Sequence, residues 1–288
     1  MSDSTLTAGA WPGGAPFALC LTHDVDRVAK SWFHYLYYAW RDGVAGQLRS
    51  LASRWAGRDP FWNLDALMEF EGALGVRSTV LFLHETARGV GPKYWGRYDP
   101  GQPKVARMIR ALDAGGWEIG LHGSYFSYAN AALLASEKAR LEDILGKPVV
   151  STRQHYLNLD GERTFEHQAA LGLLVDSSVG YADRVWDGAR GWRPYRVAAD
   201  RLWQLPITVM DTIGVEQAAV REAIQQAVEA VAAAGGVVVL DWHQCAFNAR
   251  EQAPRVTLYE QLIRWARQRG AWVATMGQIA RHLQARQH

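Results

Sequence analysis

With 288 residues, 49% of them hydrophobic, and a formal net charge of +2, the chain can fill one large α/β domain or two small ones. The near-neutral balance gives no basis for a nucleic-acid partner. Cys20 and Cys245 are the only cysteines, too few for a disulfide framework. They fit a reducing compartment, taken here as the cytoplasm. No uncharged apolar stretch is long enough to cross a bilayer. Residues 1–14 lack the basic start and apolar core of a secretory signal, and their Ser, Thr, Gly and Ala content predicts disorder.

From residue 15 onward, strand-like and helix-like segments alternate. Apolar runs predict strands over Phe17–His23, Ser78–His84, Trp117–His122, Val149–Arg153, Leu173–Asp176, Leu202–Thr208 and Val237–His243. Helices are predicted over Pro103–Ala114 (Pro at the start, Gly115-Gly116 at the end), Ala131–Leu145 (stopped by Gly146), Val215–Ala234, Val256–Gln268 and Met276–Gln284. Such alternation means parallel strands with crossover helices. Seven strands without a Pro- or Ser-rich linker favour a single (β/α) barrel over a doubly wound open sheet. The rhythm breaks at an insert, about 27–63, that holds Trp32, Phe33, Tyr35, Tyr37, Tyr38, Trp40, Trp55, Phe61 and Trp62. It reads first as a helix packing its aromatics onto the barrel rim. A lid or cleft wall that stacks on sugar or docks a lipid carrier is the functional alternative, and an interfacial membrane contact is a third.

Active sites of parallel barrels lie at the carboxyl ends of the strands. Those ends carry Asp24 and Asp26, His84, His122, Arg153 with His155, Asp176, Thr208 with Asp211, and His243. Five of the nine histidines, His23 among them, fall at or just past such ends, where chance would also scatter them over helix surfaces. Two carboxylates one residue apart repel unless a cation or basic partner neutralises them, so Asp24-Val25-Asp26 suits metal chemistry, one oxygen donor holding the ion and the other handling protons. HExxH, GxSxG, Walker and CxxC patterns are absent from the sequence.

Leu21–Asp26 (LTHDVD) resembles the first motif of the polysaccharide deacetylase superfamily, the carbohydrate esterases with the nodulation-protein B homology domain. The form is that of the branch carrying DVD where most members carry TFDDG. Trp117–Tyr125 (WEIGLHGSY) resembles the second motif, Ser151–Leu157 (STRQHYL) the third, Val175–Tyr181 (VDSSVGY) the fourth and Val237–Gln244 (VVVLDWHQ) the fifth. They occur in family order, and HDVD with GLHGSY and RQHYL is most similar to the subgroup linked to O-antigen and other surface-glycan biosynthesis. The resemblance implies a single-domain distorted (β/α)7 barrel. It also implies metal-dependent removal of an N-acetyl group from a sugar in bacterial surface polysaccharide, the sugar being nucleotide- or lipid-linked.

The resemblance assigns Asp24 as the base, Asp26 and His122 as metal ligands, and His243 as the catalytic histidine. Arg153 would orient Asp24, Asp176 would support His243, and a divalent ion, Zn2+ above others, would be the cofactor. Tyr156, Trp242 and Tyr125 are candidate substrate contacts, and Trp186 and Trp192 further cleft residues. Two departures stand out. Phe126 occupies the position of the usual second metal histidine, and His155 stands where the third motif usually has Pro. His155 or His84 is therefore the expected replacement ligand. The competing readings are a degenerate sugar-binding barrel without catalysis and a hydrolase of a small non-sugar amide.

Overall fold

The computed structural model describes residues 11–57, 59–85, 97–188 and 193–286. Its centre is a curled, mainly parallel sheet. Strands β1 (Ala18–Val25), β2 (Thr79–Leu83), β3 (Glu118–Gly123), β4 (Ser151–Gln154) and β5 (Val175–Asp176) pair in that order, and β9 (Val237–Asp241) flanks β1 on its other edge.

One segment closes the barrel. Its first half, β7 (Leu202–Gln204), pairs with β5, and its second half, β8 (Val209–Met210), pairs with β9. The crossing from one edge to the other is visible in the backbone: Leu205 N donates to Asp176 O at 2.9 Å, Ile207 N to Val179 O at 2.8 Å and Thr208 N to Val239 O at 2.9 Å. Seven strand positions thus surround one interior, the distorted (β/α)7 barrel implied by the motifs. Two short strands lay below the reach of the apolar pattern. β6 (Tyr195–Val197) runs antiparallel to β7, and β10 (Trp272–Ala274) pairs with the start of β1.

The helices follow from local chemistry. The helix α4 (Pro103–Ala114) starts on Pro, whose missing N–H costs nothing in a first turn. Asn130 caps α5 (Ala131–Leu145) by accepting from Leu133 N at 3.1 Å, and Gly146 ends it at φ 69°. A capping box from Thr275 and Gln278 starts α9 (Met276–Ala285). Helices α3 (Leu64–Leu74), α6 (Glu162–Ala170), α7 (Ala218–Ala233) and α8 (Ala249–Gln268) complete the outer ring. The insert folds as two helices, α1 (Trp32–Asp42) and α2 (Val44–Trp55), joined at Gly43 with φ 90°.

The pleat sorts side chains by face. On β1 the row Ala18, Cys20, Thr22, Asp24 turns inward; on β9 the row is Val237, Val239, Asp241. The lower half of the interior is apolar, filled by Cys20, Leu81, Val239 and the α9 residues Met276 and Ile279, with Trp11 closing it below. Trp11 is 2% exposed, and its indole N–H donates to Gly235 O at 2.9 Å. Residues 11–14 of the expected disordered terminus are thus held to the barrel floor by this tryptophan; residues 1–10 lie outside the described residues. The upper half of the same rows is polar, and there the site forms.

Candidate active site

Asp24 is the last inward residue of β1. Its Oδ1 accepts from Arg153 Nη1 at 2.8 Å, and Arg153 is fully buried. The guanidinium also bonds Thr22 Oγ1 at 2.9 Å, Ser177 O at 2.8 Å and Ser177 Oγ at 3.1 Å, and it pairs with Asp241 Oδ1 at 2.9 Å. One cation thus serves two buried carboxylates. Burial alone would raise the Asp24 carboxyl, but Arg153, His122 and His243 outweigh it and hold it below the usual range. Asp241 is pushed up to about 7 by burial, which Arg153 opposes and the Asp24 charge reinforces. The guanidinium's charge goes chiefly to Asp24.

Asp26, just past β1, meets two histidines. His122 Nε2 is 3.2 Å from Asp26 Oδ1, and His155 Nε2 is 3.4 Å from Asp26 Oδ2. The three donor atoms all lie within 4.8 Å of one another. Donors about 2.1 Å from a shared ion at near-tetrahedral angles are about 3.4 Å apart, so these spacings fit a single divalent cation. Two further observations agree with the fit. Asp26 Oδ1 is buried without a hydrogen-bond partner among the described residues. His122 Nδ1 bonds Arg153 O at 3.0 Å, which puts the proton on Nδ1 and the lone pair on Nε2, facing Asp26. An acid with two imidazoles suits Zn2+ or a similar borderline ion. Without an ion, burial raises the Asp26 carboxyl, but the two histidines overcome this and hold it well below its usual range. Burial presses His155 down to about 4 despite Asp26.

Of the two expected replacement ligands, His155 lies in the cluster with Asp26 and His122. The His84 imidazole turns elsewhere, with Nε2 4.0 Å from Asp99 Oδ1. Phe126 is 43% exposed and packs edge-on against Tyr125 at 4.9 Å. The third member of the cluster thus follows β4, one strand over from His122. The chain turns sharply there: Tyr156 and Leu157 have φ of 58° and 56°. Left-handed backbone is costly for non-glycine residues and tends to collect at functional sites. The turn brings the Tyr156 ring to 4.2 Å from the His155 ring and leaves it 54% exposed, 5.6 Å from Tyr125. Tyr125, Phe126 and Tyr156 form an aromatic rim beside the ligand cluster.

His243 follows β9. Its Nδ1 is 2.7 Å from Asp211 Oδ1, and its backbone N–H donates to Asp211 Oδ2 at 3.1 Å. Burial disfavours the imidazolium, but Asp211 more than compensates and raises His243 well above its usual value. This corrects the expectation for Asp176. That carboxylate accepts from Gln168 Nε2 at 2.8 Å, from Ser178 N at 2.7 Å and from Ser178 Oγ at 2.6 Å, bonds internal to the β5 corner. The strand-end reading had included Asp211 without a role. Asp241 was missed, although it lies two residues before His243 and so on the same strand face, a signal present in the sequence.

Two other expectations are corrected. Trp242 alternates outward, is fully buried, packs at a tilt against Tyr259 at 5.4 Å and donates to Arg255 O; it is core, not a substrate contact. His23 also points outward, to Glu71 Oε1 at 2.9 Å and Trp242 O at 2.7 Å, so only three of the five strand-end histidines reach the site. Trp186 is 5% exposed and packs on Tyr181, and Trp192 lies outside the described residues.

A cavity of about 200 Å³ opens between this cluster and the helical insert. Its lining includes Asp26, His243, Arg27, Lys30, Tyr38 and Arg255.

A seven-stranded barrel with an Asp-His-His cluster, a buried Asp–Arg pair and an Asp-supported His at its strand ends is the frame on which the comparisons bear. No family model and no curated protein matches the sequence. The solved structures do. The crystal structure of a "putative polysaccharide deacetylase" from Mycobacterium smegmatis is 21% identical, with 96% of this chain and 93% of that one covered at a TM-score of 0.64. The chitin deacetylase from the fungal pathogen Colletotrichum lindemuthianum is 13% identical over 91% of this chain and 86% of its own, at a TM-score of 0.48. The chain has the fold of the polysaccharide deacetylases.

Proposed function

We propose that this protein is a metal-dependent hydrolase that removes an N-acetyl group from a sugar, in the biosynthesis of a bacterial surface polysaccharide. The observation that carries the reading is the convergence of Asp26, His122 and His155 beside Asp24 and His243. Together they would supply a cation site, a base and an acid, and two of them, Asp26 and His243, line one cavity.

Asp26, His122 and His155 would hold the ion. When bound, a divalent ion supplies Lewis acidity toward an amide carbonyl and toward water. Asp24, kept anionic by Arg153, would accept a proton from the attacking water at Oδ2, which lies 3.5 Å from His122 Nε2, since Oδ1 is engaged by the guanidinium. His243, kept protonated by Asp211, donates a proton to the departing amine. Asp211 also fixes the ring by accepting from Nδ1, which leaves Nε2 as the donating atom. The rim of Tyr125 and Tyr156 presents ring faces to a sugar. Arg27, Lys30 and Arg255 along the same cavity suit the phosphate of a nucleotide- or lipid-linked sugar. A cytoplasmic site of action accords with such a precursor.

The test is acetate release from N-acetylated sugar phosphates by protein reconstituted with Zn2+, beside Asp24→Asn and His243→Ala. Release that depends on added metal and is lost in both variants supports the reading. Absence of release from every N-acetylated sugar, with small amides hydrolysed instead, would replace it with the non-sugar amidase reading. Sugar binding without turnover would replace it with the non-catalytic barrel.

A further inference from the structure

The insert did not pack as its aromatics suggested. Tyr35 is 4% exposed and His34 2%; Tyr35 packs under Lys30, and His34 packs edge-on against Phe61. The other side is bare. On α1, Trp32, Phe33, Leu36 and Trp40 are 59%, 60%, 70% and 82% exposed; on α2, Val44, Leu48 and Trp55 are 61%, 60% and 83% exposed. Their spacing, i, i+1, i+4, i+8 on α1 and i, i+4, i+11 on α2, is that of one stripe on each helix. Seven of the nine large exposed hydrophobics among the described residues are on this hairpin. A soluble surface seldom shows such a concentration unless something covers it.

Charge indicates what covers it. Lys30 is buried and Arg27 lines the cavity; without these two, residues 31–59 carry Arg41, Arg49, Arg54 and Arg58 against Asp42 and Asp59, a net +2 that equals the total of the whole chain. A second copy of the hairpin would bring +2 against +2. An anionic lipid surface is complementary to both features, since tryptophan favours the headgroup boundary and basic residues beside an apolar stripe favour anionic lipid. Helices of 11 and 12 residues are too short to span a bilayer, which takes about 20, so the hairpin would lie in the interface.

We propose that the α1–α2 hairpin docks the protein onto an anionic bilayer surface through Trp32, Phe33, Leu36, Trp40, Leu48 and Trp55. The inner side of the same hairpin supplies Tyr38 and Gln47 to the cavity that holds Asp26 and His243. Docking brings the cavity mouth to the headgroups, where a lipid-linked sugar is presented. Only this last consequence rests on the proposed deacetylase reading; the membrane contact stands without it.

The experiment is sedimentation of the full chain with phosphatidylcholine vesicles, with and without phosphatidylglycerol, at low and high salt, alongside tryptophan quenching by brominated lipid. The wild type is expected to sediment with the anionic vesicles, less so at high salt, and to be quenched. The triple variant Leu36→Ser, Trp40→Ser, Trp55→Ser is expected to bind about tenfold or more weakly, with unchanged far-ultraviolet circular dichroism and unchanged acetate release from a soluble substrate. Two outcomes overturn the proposal: no sedimentation or quenching of the wild type with anionic vesicles, or equal binding by the folded triple variant. A concentration-dependent dimer that the triple variant abolishes, without vesicle binding, would assign the face to a second copy instead. Loss of vesicle binding with catalysis intact separates this surface from the chemistry.

Discussion

Arg153 and Asp24 are 129 positions apart in the sequence and meet at 2.8 Å inside the barrel mouth. Arg153 is buried completely, and its other donors are taken by Thr22, Ser177 and the second carboxylate, Asp241. A buried ion pair adds little net stability, but removal of one partner leaves an uncompensated charge. Arg153→Met is therefore expected to cost about 3–5 kcal/mol of folding free energy, read from denaturant unfolding. Asp24→Asn keeps an acceptor for the guanidinium, so it should cost much less while lowering turnover by roughly 10²–10⁴. A fully active Asp24→Asn enzyme would remove Asp24 as the base.

The ligand set makes a prediction about metal retention. His155→Ala should release the ion under dialysis conditions in which the wild type keeps it, as measured by elemental analysis. His84→Ala should not, because His84 faces Asp99. Equal retention by wild type and His155→Ala would leave Asp26 and His122 as the only protein ligands.

Asp211 sets a pH limit. His243 is raised well above its usual value because Asp211 outweighs burial, and a general acid works while it holds its proton. With His243 as the proposed acid, activity is expected to be retained as pH rises until His243 deprotonates. Asp211→Asn removes the carboxylate that raises it, so the alkaline limb of kcat/KM should move to lower pH. Asp176→Asn should leave that limb in place, since Asp176 is bonded to Gln168 and Ser178. A limb that moves with Asp176 and not with Asp211 would reverse the assignment.

Glu137 links folding to pH. Burial pushes it up from 4.5 to about 7, opposed by bonds from Ser124 and Ser127. Its folded value lies above its unfolded one, so the protonated form is the one the fold favours. Its favourable contribution is complete below about pH 4.5 and is lost as pH rises through about 7. Glu137→Gln mimics the neutral form and keeps an acceptor for Ser124 N–H, which bonds Oε2 at 3.0 Å. The variant should gain about 3 kcal/mol relative to wild type well above pH 7 and nothing below pH 4.5. A pH-independent difference would contradict the buried-acid account.

Trp242 lies beside His243 in the chain yet belongs to the core. Trp242→Ala is expected to cost about 3–5 kcal/mol of stability and to leave KM unchanged in the folded fraction. A raised KM with normal stability would return Trp242 to the cleft.

The sequence by itself determined the alternation of strands and helices, the seven-strand count, and the residues that end the strands. These are local properties. Apolar runs, Pro103 at a helix start and Gly146 at a helix end act on their immediate neighbours, so they can be read along the chain. The inward rows are equally local: period two places Asp24 inward and His23 outward once the strand is recognised. Only the tertiary structure decided which strand-end groups meet. Asp211 reaches His243 because the 202–210 segment crosses from β5 to β9 and brings its end beside that strand. His155 reaches Asp26 because β4 stands beside β3 and the chain reverses at Tyr156. The exposed hairpin face was decided in the same way. Aromatic content marks helices 32–42 and 44–55 as amphipathic, but which stripe finds a partner depends on how much barrel surface lies within reach, a property of the closed fold rather than of any short stretch of chain.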